Sequence, residues 1–370
     1  MKILTVLGAR PQFIKAATVS RAIAKYRASV DKEIEEIIVH TGQHYDANMS
    51  DIFFEEMDIP KPKHKLGFGN LKHGAMTGGM LEKCEELIVK EKPFLVLVYG
   101  DTNSTLAGAL AASKMHVPVA HVEAGLRSFN MAMPEEINRV LTDRIANYLF
   151  CPTENAVENL GREGFPFDTP NRQNQKIFNV GDVMYDATRY YANKADDYLS
   201  LEKWGLRERE YALCTIHRPQ NTDNSSCLKS IFTALQKINQ DLEVVIPLHP
   251  RTRNILKQSE QSIAIGNLKI IEPLSYLEMQ RLEKSARVVI TDSGGMQKEA
   301  YFHGVPCLTL REETEWVETL VESANTLVGA NEEKIISAFR TLSPNFIPKD
   351  IYGDGMASSK IVSELMNSFH

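Results

Sequence analysis

The sequence predicts an α/β protein with two doubly wound domains, each built on a parallel sheet that helices cover on both faces. Short apolar runs alternate with helical patterns over nearly the whole chain. The runs are apolar throughout, which is typical of parallel strands buried on both faces. The 370 residues also exceed the roughly 100–200 residues of an ordinary domain, so two domains are expected.

The first series of elements occupies the amino-terminal half of the chain. Its predicted strands are Lys2–Leu7, Glu36–His40, Phe94–Tyr99, Val117–Val122, Tyr148–Cys151 and Ile177–Val180. Its predicted helices include Phe13–Tyr26, Ala75–Val89 and Glu136–Asn147. This alternation predicts a first domain over residues 1–190.

The same alternation then repeats in a second series. Its predicted strands are Tyr211–Ile216, Glu243–Leu248, Leu268–Ile271, Val288–Thr291, Pro306–Leu310 and Thr326–Val328. The polar stretch Asn193–Arg209 lies between the two series and is interpreted as a linker. A second domain is therefore predicted over residues 191–354. A last helix, Ala357–Ser368, follows within the terminal segment 355–370.

Composition excludes several classes of protein. Apolar residues make up 43% of the chain and charged residues 24%, which excludes a disordered chain, a collagen and a disulfide scaffold. A net charge of −6 gives no reason to expect nucleic acid or an anionic membrane as a partner. The longest clean apolar run, Phe94–Tyr99, is too short to span a bilayer. Five cysteines without a Cys-x-x-Cys pair fit the cytoplasm.

Two common nucleotide-binding motifs are absent from the sequence. No Gly-x-Gly-x-x-Gly follows a predicted strand, so a tightly held dinucleotide is not expected. No Gly-x-x-x-x-Gly-Lys-Ser/Thr is present, which argues against a P-loop. We therefore expect a site that uses neither a cofactor nor a metal.

Polar residues follow almost every predicted strand. They are Gly8–Pro11, Thr41–His44, Gly100–Asn103 and Glu123–Arg127 in the first series, and His217-Arg218, His249–Arg251 and Asp292–Gly295 in the second. Ligands of open α/β sheets bind beyond the carboxyl ends of the strands. If the two domains face each other, these segments line the cleft between them.

The segment Asp292–Glu299 predicts a phosphate site. It follows a strand and opens a helix, where free N–H groups and the helix dipole favour an anion. An N-cap role would explain Ser293 alone. It does not require both Gly294 and Gly295, each of which costs a helix roughly 1 kcal/mol. Glu299 either favours the helix dipole or accepts hydrogen bonds from a ribose.

Acidic residues are concentrated in the first series. Asp101 and Glu123 follow two strands, and the pair Glu135-Glu136 opens a helix behind Pro134. Each has a structural explanation as an N-cap or as a first-turn charge. Several carboxylates in one partly dry site, however, push their pKa values apart, which suits an acid–base pair. Together they favour catalysis.

Cationic residues follow the strands of both series. His217 and His249 come after the first two strands of the second series, with Arg218 and Arg251 close by, which favours a phosphate-facing role. Arg10 follows the first strand of the chain, where its guanidinium either binds a phosphate or is solvated. The pattern predicts an acidic first domain and a cationic second domain.

In combination and order, these segments resemble the non-hydrolysing UDP-N-acetylglucosamine 2-epimerases over essentially the full chain. The matching segments are Gly8–Pro11, Thr41–His44, Gly100–Thr102, His121–Arg127, Pro134–Arg139, His217-Arg218, Thr291–Glu299 and Arg311–Glu315. The resemblance implies two Rossmann-like domains in the glycosyltransferase-B arrangement, with the last helix returning to the first domain. It also implies a UDP-sugar substrate, no cofactor and a homodimer.

The resemblance further implies a reaction and its residues. The C2 proton is removed, UDP leaves by anti elimination, and a 2-acetamidoglucal is reprotonated on its other face before UDP adds back. The implied catalytic residues are Asp101, Glu123, Glu135 and His217. The implied substrate-binding residues are Arg10, Lys15, Arg139, His249, Leu274, Met279, Ser293, Gly294, Gly295, Glu299 and Arg311. Which carboxylate takes the proton stays open.

Two positions depart from the family pattern. Trp316 stands where many members have a ligand-binding Arg, and Tyr45 stands where many bacterial members have an Arg associated with a regulatory site. Trp316 and Leu126–Asn130 are closer to the branch that acts on UDP-2,3-diacetamido-2,3-dideoxyglucuronate, which is the alternative substrate. Its C6 carboxylate would need a cation, for which Arg127, Arg139 and Arg218 are candidates. A glycosyltransferase of the same architecture and a non-catalytic UDP-sugar sensor are the remaining alternatives.

Overall fold

A computed structural model describes residues 1–29, 34–43, 54–55, 57–167, 175–248, 250–258, 265–343 and 346–368. The chain divides into two compact units. Unit 1 comprises Met1–Ala187 with Asp350–His370, and unit 2 comprises Thr188–Lys349. Each unit holds its own parallel sheet, so the predicted fold class is confirmed. Within the described ranges, no helix combines the length and the apolar character needed to cross a membrane.

The described part of unit 1 contains a seven-stranded parallel sheet. Its strands are β1 (Lys2–Leu7), β2 (Glu35–His40), β3 (His64–Lys65), β4 (Leu95–Tyr99), β5 (Val119–Val122), β6 (Tyr148–Cys151) and β7 (Lys176–Asn179). The spatial order is β3-β2-β1-β4-β5-β6-β7. Since the order reverses between β1 and β4, which pair in parallel, a ligand is expected beyond the carboxyl ends of these two strands.

The helices of unit 1 carry several of the predicted site residues in their first turns. They are α1 (Arg10–Ser29), α2 (His73–Glu91), α3 (Asn103–Lys114), α4 (Pro134–Ile145), α5 (Glu154–Arg162) and α13 (Ala357–Asn367). A capping box between Thr102 and Thr105 starts α3 directly after Asp101. Gly108 of α3 lies over Val6, and an added Cβ would be 3.1 Å from that side chain. Glycine therefore lets α3 approach β1 closely.

The carboxyl-terminal helix α13 belongs to unit 1. It packs against α1, and its first turn is capped by a side chain from α6 (Val183–Tyr198). Asp186 accepts hydrogen bonds from the backbone N–H groups of Ala357 (3.1 Å) and Ser358 (2.8 Å). These bonds satisfy two of the free N–H groups at the start of the helix.

The described part of unit 2 contains a six-stranded parallel sheet. Its strands are β8 (Tyr211–Thr215), β9 (Glu243–Pro247), β10 (Lys269–Ile271), β11 (Val288–Thr291), β12 (Cys307–Thr309) and β13 (Asn325–Leu327). Its remaining helices are α7 (Pro219–Thr222), α8 (Ser225–Ile238), α9 (Pro250–Gln258), α10 (Tyr276–Ser285), α11 (Gly294–Phe302) and α12 (Glu332–Arg340). The order β10-β9-β8-β11-β12-β13 reverses between β8 and β11.

Two local expectations differ from the structure. The stretch Asn193–Arg209 was interpreted as the linker, but the units divide between Ala187 and Thr188 and the stretch lies within unit 2. In it α6 continues to Tyr198, and a 3₁₀ helix follows over Leu201–Trp204. Burial of Tyr191 and Ala195 explains the continued helix despite its polar sequence. The two-residue strand β3 was missed, since so short a strand has no periodicity to detect.

Candidate active site

A cavity of about 410 Å³ lies at the switch point of unit 1. Its lining residues are Ala9, Pro11, Gln12, Lys15, Gln43, Leu71, His73, Met76, Gly100, Asp101, Thr102, Asn103, Pro134, Glu135 and Asn138. The fold thus brings together three predicted site residues, Lys15, Asp101 and Glu135. Glu123 is connected to them, because the Nζ atom of Lys15 donates to its Oε2 atom over 2.5 Å. Arg10 starts α1 and does not line this cavity.

Asp101 is held by a cation from α4. Arg139 forms an ion pair with Asp101 and a second one, of 2.7 Å, with Glu136. Burial acts to lower the pKa of Arg139, but the two carboxylates outweigh it and raise the pKa above its ordinary value. Arg139 was predicted to bind substrate. In this structure its guanidinium is occupied by two carboxylates, so its visible role is to position Asp101.

The adjacent residues Glu135 and Glu136 have opposite environments. Glu136 is buried and accepts hydrogen bonds from Ser128 N, Ser128 Oγ and Phe129 N, each of 2.9 Å. Burial acts to raise the pKa of Glu136, but the bonds from Ser128 and the charge of Arg139 lower it overall. Glu135 is exposed, lines the cavity and has no hydrogen bond or ion pair within the described ranges. Of the two carboxylates, only that of Glu135 lines the cavity.

The turn that carries Glu123 has an unusual backbone. Glu123 adopts φ 71° and Gly100 adopts φ 62°, a left-handed region that non-glycine residues rarely occupy. A Cβ atom on Gly100 would lie 3.3 Å from Glu123 Oε2. Strained residues of this kind persist where the surroundings fix them, often at functional sites. The two turns are thus packed against each other with little spare room.

A buried charged network fixes these turns from behind. The ring of His121 lies with Nδ1 2.6 Å from Asp143 Oδ1 and Nε2 2.7 Å from the carbonyl oxygen of Gly100. Asp143 also accepts hydrogen bonds from Gly125 N (3.0 Å) and Arg127 Nη1 (2.7 Å). Burial acts to raise the pKa of Asp143, but its interactions with His121 and Arg127 lower it overall. The network therefore ties the turn after β4 to the turn after β5.

The same network removes one of the candidates for a substrate carboxylate. Arg127 donates to Glu163 from Nε (2.6 Å) and Nη2 (2.9 Å), in addition to its bond to Asp143. Its side chain is almost completely buried. Arg127 was one of three candidates for a uronate carboxylate, and its buried guanidinium pairs with Asp143 and Glu163 instead.

Sequence reasoning missed the amides that organise the cavity. Gln12 accepts hydrogen bonds from the N–H groups of Gly8 (2.8 Å) and Ala9 (3.0 Å) and donates to the carbonyl of Tyr99 (2.6 Å). Asn138 donates to the carbonyl of Asp101 over 2.9 Å. His73 and Asn103, which also line the cavity, were missed as well. Position was the signal for both amides, because Gln12 lies in the first turn of α1 after Gly8–Pro11 and Asn138 lies inside the matching segment Pro134–Arg139.

In unit 2, a buried aspartate joins the two turns at the switch point. Asp292 accepts hydrogen bonds from the backbone N–H groups of His217 (3.1 Å) and Arg218 (3.0 Å) and from Asn221 Nδ2 (3.1 Å). Its Oδ1 atom also lies 3.2 Å from Nδ1 of His217. The half-exposed ring of His217 is therefore held next to the start of α11. His249 lies outside the described residues.

The start of α11 is closely flanked on one side. Ser293 is its N-cap and accepts a long hydrogen bond of 3.5 Å from Met296 N. A Cβ atom on Gly294 would lie 2.5 Å from Glu315 Oε1, whereas one on Gly295 would have no neighbour closer than 3.9 Å. Arg311 forms a 2.9 Å ion pair with Glu315. The fold thus brings Ser293, Gly294 and Arg311 to one helix terminus.

Glu299 is fixed one turn further along α11. It accepts hydrogen bonds from Tyr276 Oη (2.9 Å) and Gln280 Nε2 (3.0 Å), and Gln280 also donates to Glu283 (3.2 Å). Burial and the charge of Glu299 raise the pKa of Glu283 well above its ordinary value. Separately, the half-buried side chains of Leu274 and Met279 pack against the core of unit 2.

Comparison with known proteins gives a consistent result over the whole chain. Residues 27–366 match the family model for UDP-N-acetylglucosamine 2-epimerase. The chain is 52% identical over 368 residues to the UDP-2,3-diacetamido-2,3-dideoxy-D-glucuronate 2-epimerase of Pseudomonas aeruginosa, with 99% of each chain covered. It is 44% identical over 371 residues to the UDP-N-acetylglucosamine 2-epimerase of Methanocaldococcus jannaschii, with 98% of each covered.

A solved structure of a family member matches this chain over nearly its full length. The crystal structure of the Methanocaldococcus jannaschii UDP-N-acetylglucosamine 2-epimerase, in complex with UDP-N-acetylglucosamine and UDP, matches with a TM-score of 0.83 at 43% identity. The match covers 99% of this chain and 100% of that one.

Proposed function

Since the chain belongs to the UDP-N-acetylglucosamine 2-epimerase family, we propose that it inverts C2 of a UDP-linked 2-acetamido sugar, with UDP-N-acetylglucosamine as the main candidate. It is an isomerase that acts on a UDP-sugar. One observation carries the proposed mechanism. The cavity of unit 1 presents the unpaired carboxylate of Glu135 together with Asp101 and Lys15, the proton-transfer groups that inversion at a carbon requires.

Inversion at C2 requires a proton to leave one face of the sugar and return to the other. In the proposed first step, Glu135 takes the C2 proton, the C2–H electrons form a C1–C2 double bond, and UDP leaves with the electrons of the C1–O bond. In the reverse step, a proton is delivered to the opposite face and UDP adds to C1. The proposed second proton site consists of Asp101 and the Lys15–Glu123 pair. Arg139 holds Asp101 in place, and Lys15 and Glu123 hold each other.

The nucleotide is proposed to bind unit 2. The free N–H groups at the start of α11, with Ser293, Gly294 and Gly295, suit a diphosphate because a helix amino terminus attracts anions. Glu299, fixed by two donors, suits the ribose hydroxyls. His217 is proposed to donate to the departing UDP, whose growing negative charge needs preorganised donors.

The uronate is retained as the second candidate substrate because of one observation. The relative that shares 52% identity is named for UDP-2,3-diacetamido-2,3-dideoxy-D-glucuronate. Of the three cations suggested for its extra carboxylate, Arg127 and Arg139 are occupied within unit 1. Arg218 remains. Burial and the positive charge of Arg311 lower its pKa, so an anionic group beside it would be favourable.

Product analysis tests the proposal. Purified protein is incubated with each of the two UDP-sugars without an acceptor, and formation of the C2 epimer is followed by proton NMR. We expect an epimer from at least one substrate, and the ratio of kcat/KM values then selects the natural one. Transfer of the sugar to an added acceptor, with no epimer from either donor, would support the glycosyltransferase instead.

The homodimer also stays a prediction. Light scattering of the purified protein measures the mass in solution, and a mass equal to one chain would contradict it.

A further inference from the structure

We propose that the indole N–H of Trp316 donates a hydrogen bond to the diphosphate of the UDP-sugar. This makes Trp316 a nucleotide-binding residue rather than a packing residue. The inference rests on the proposed function, because it takes UDP as the ligand at the start of α11.

The first observation is an unsatisfied donor. Trp316 is 9% exposed, and its Nε1 atom is buried without a hydrogen-bond partner in the part of the chain that the structure describes. A buried donor left unpaired costs about 1–3 kcal/mol, so such groups are rare unless a ligand completes them. Because the indole nitrogen only donates, its missing partner is an acceptor.

The second observation is where this donor lies. A Cβ atom on Gly294 would be 3.5 Å from Trp316 Nε1. Gly294 is the first residue of α11, a nine-residue helix whose first N–H groups have no partner within the helix. The indole N–H and the helix amino terminus therefore lie at one place, and both favour a negatively charged acceptor.

Two arginines and a glutamate lie around this place. Arg311 is paired with Glu315, whose Oε1 atom would lie only 2.5 Å from a Cβ on Gly294. The carboxylate of Glu315 thus occupies the position that suits an external anion. Burial and the positive charge of Arg311 lower the pKa of Arg218. Glu315, Asp292 and Glu313 also act on Arg218, so the guanidinium groups already have counter-charges, and it is the helix terminus and the indole N–H that select the anion.

A lysine behind the ring prepares Trp316 for this role. The Nζ atom of Lys298, a buried residue, lies 3.8 Å from the centroid of the Trp316 ring. A cation over the face of an indole is attracted by its π electrons. It fixes the ring plane and draws electron density from the ring, which makes the N–H a stronger donor.

The substitution Trp316→Phe tests the proposal, because phenylalanine keeps an aromatic face for Lys298 and removes the N–H donor together with one ring of the indole. We expect the Kd for UDP, measured by calorimetry, to rise about tenfold, which corresponds to about 1.4 kcal/mol. The Kd for uridine, measured by competition, and the melting temperature should stay unchanged. An unchanged Kd for UDP, or an equal loss for uridine, would overturn the proposal.

NMR provides a second measurement that needs no change at Trp316. The chain has two tryptophans, so ¹⁵N labelling gives two indole N–H signals, and Trp204→Phe assigns them. UDP should shift the Trp316 signal downfield, uridine should not, and the Trp204 signal should stay in place as the internal control. A Trp316 signal that does not move at saturating UDP would also overturn the proposal.

Ser293→Ala separates this inference from the proposed function. If Ser293→Ala weakens UDP binding while Trp316→Phe does not, UDP binds at α11 and only the role of Trp316 is wrong. If neither variant changes the affinity for UDP, the nucleotide binds elsewhere, and both the role of Trp316 and the proposed nucleotide site are wrong.

Discussion

The two units have the same strand order at their switch points, but they differ in how completely the polar side chains there are paired. In unit 1 the cations and carboxylates pair with each other, as in Lys15–Glu123 and Arg139–Asp101. In the described part of unit 2, Arg311 pairs with Glu315, but the indole N–H of Trp316 has no hydrogen-bond partner. A charge-balanced network fixes geometry, which suits proton transfer at defined positions. A network with surplus donors suits the binding of an anion.

The largest effect is expected where unit 1 leaves a charge unpaired. Glu135→Gln should reduce proton exchange at C2 by about 10²–10⁴-fold, the usual contribution of a general base, while UDP binds within a few fold of normal. Exchange is measured by NMR in deuterium oxide. Glu85→Gln, at an exposed position of α2, is the matched control and should behave as wild type. Wild-type exchange in Glu135→Gln would remove Glu135 from the mechanism.

The buried network behind the site should respond next most strongly. Asp143→Asn should lower the free energy of unfolding by about 3–5 kcal/mol, because it removes the buried carboxylate that His121 and Arg127 share. Urea unfolding measures the change. Glu163→Gln removes the other, 33% exposed partner of Arg127 and should cost less than about 1 kcal/mol. Equal losses in the two variants would mean that burial does not distinguish these pairs.

The stabilising contribution of Asp143 also has a defined pH dependence. Since the pKa of Asp143 is lowered in the folded chain, its stabilising contribution is complete above the ordinary aspartate pKa and is lost as the pH falls through the lowered value. Wild type and Asp143→Asn should therefore differ by a constant amount above about pH 5 and approach each other in acid. A difference that grows in acid would contradict the ionised state of Asp143.

In unit 2 the expected effect is on binding rather than on stability. Gly294→Ala would place a methyl group next to Glu315 Oε1 and Trp316 Nε1, in the space proposed for the diphosphate. We expect about tenfold weaker UDP binding by calorimetry with little change in melting temperature, since the end of a glutamate can move aside. Gly161→Ala in α5, where the added methyl group meets no neighbour, is the control. Unchanged UDP affinity in Gly294→Ala would contradict this placement.

The smallest effect is expected on stability and concerns the carboxyl group of Glu283, near Glu299. Because the pKa of Glu283 is raised in the folded chain, the folded state binds a proton that the unfolded state releases, and stability falls as the pH rises above about 4.5. Glu283→Gln should remove this loss. Its melting temperature should gain about 2–4 °C on wild type between pH 5 and pH 8. A constant difference between the two proteins would show that Glu283 is ionised when folded.

Much of the architecture was predictable from periodicity. The apolar runs predicted β1, β6 and β11 with the bounds that the structure has, because strands buried on both faces leave a continuous apolar signal. The polar residues after these strands indicated the site for the same reason. Parallel strands place their carboxyl ends at one edge of the sheet.

The finer organisation of the site was not predictable. Glu135 and Glu136 are identical neighbours in the sequence, and only the loop folded against Glu136 decides that Glu135 faces the cavity. His121 lies on β5 and Asp143 on α4, and no spacing in the sequence predicts that they are in contact. The sequence marked Trp316 only as a departure from the family pattern, because an unsatisfied donor is visible only in three dimensions.

Deuterium incorporation by the wild-type enzyme tests the central claim most directly, namely that C2 loses and regains its proton at the cavity of unit 1. The protein is incubated with UDP-N-acetylglucosamine, and separately with the uronate, in deuterium oxide without an acceptor or a nicotinamide. We predict deuterium at C2 of both the recovered substrate and its epimer. An epimer that retains the original C2 hydrogen, or turnover without deuterium at C2, would contradict the account.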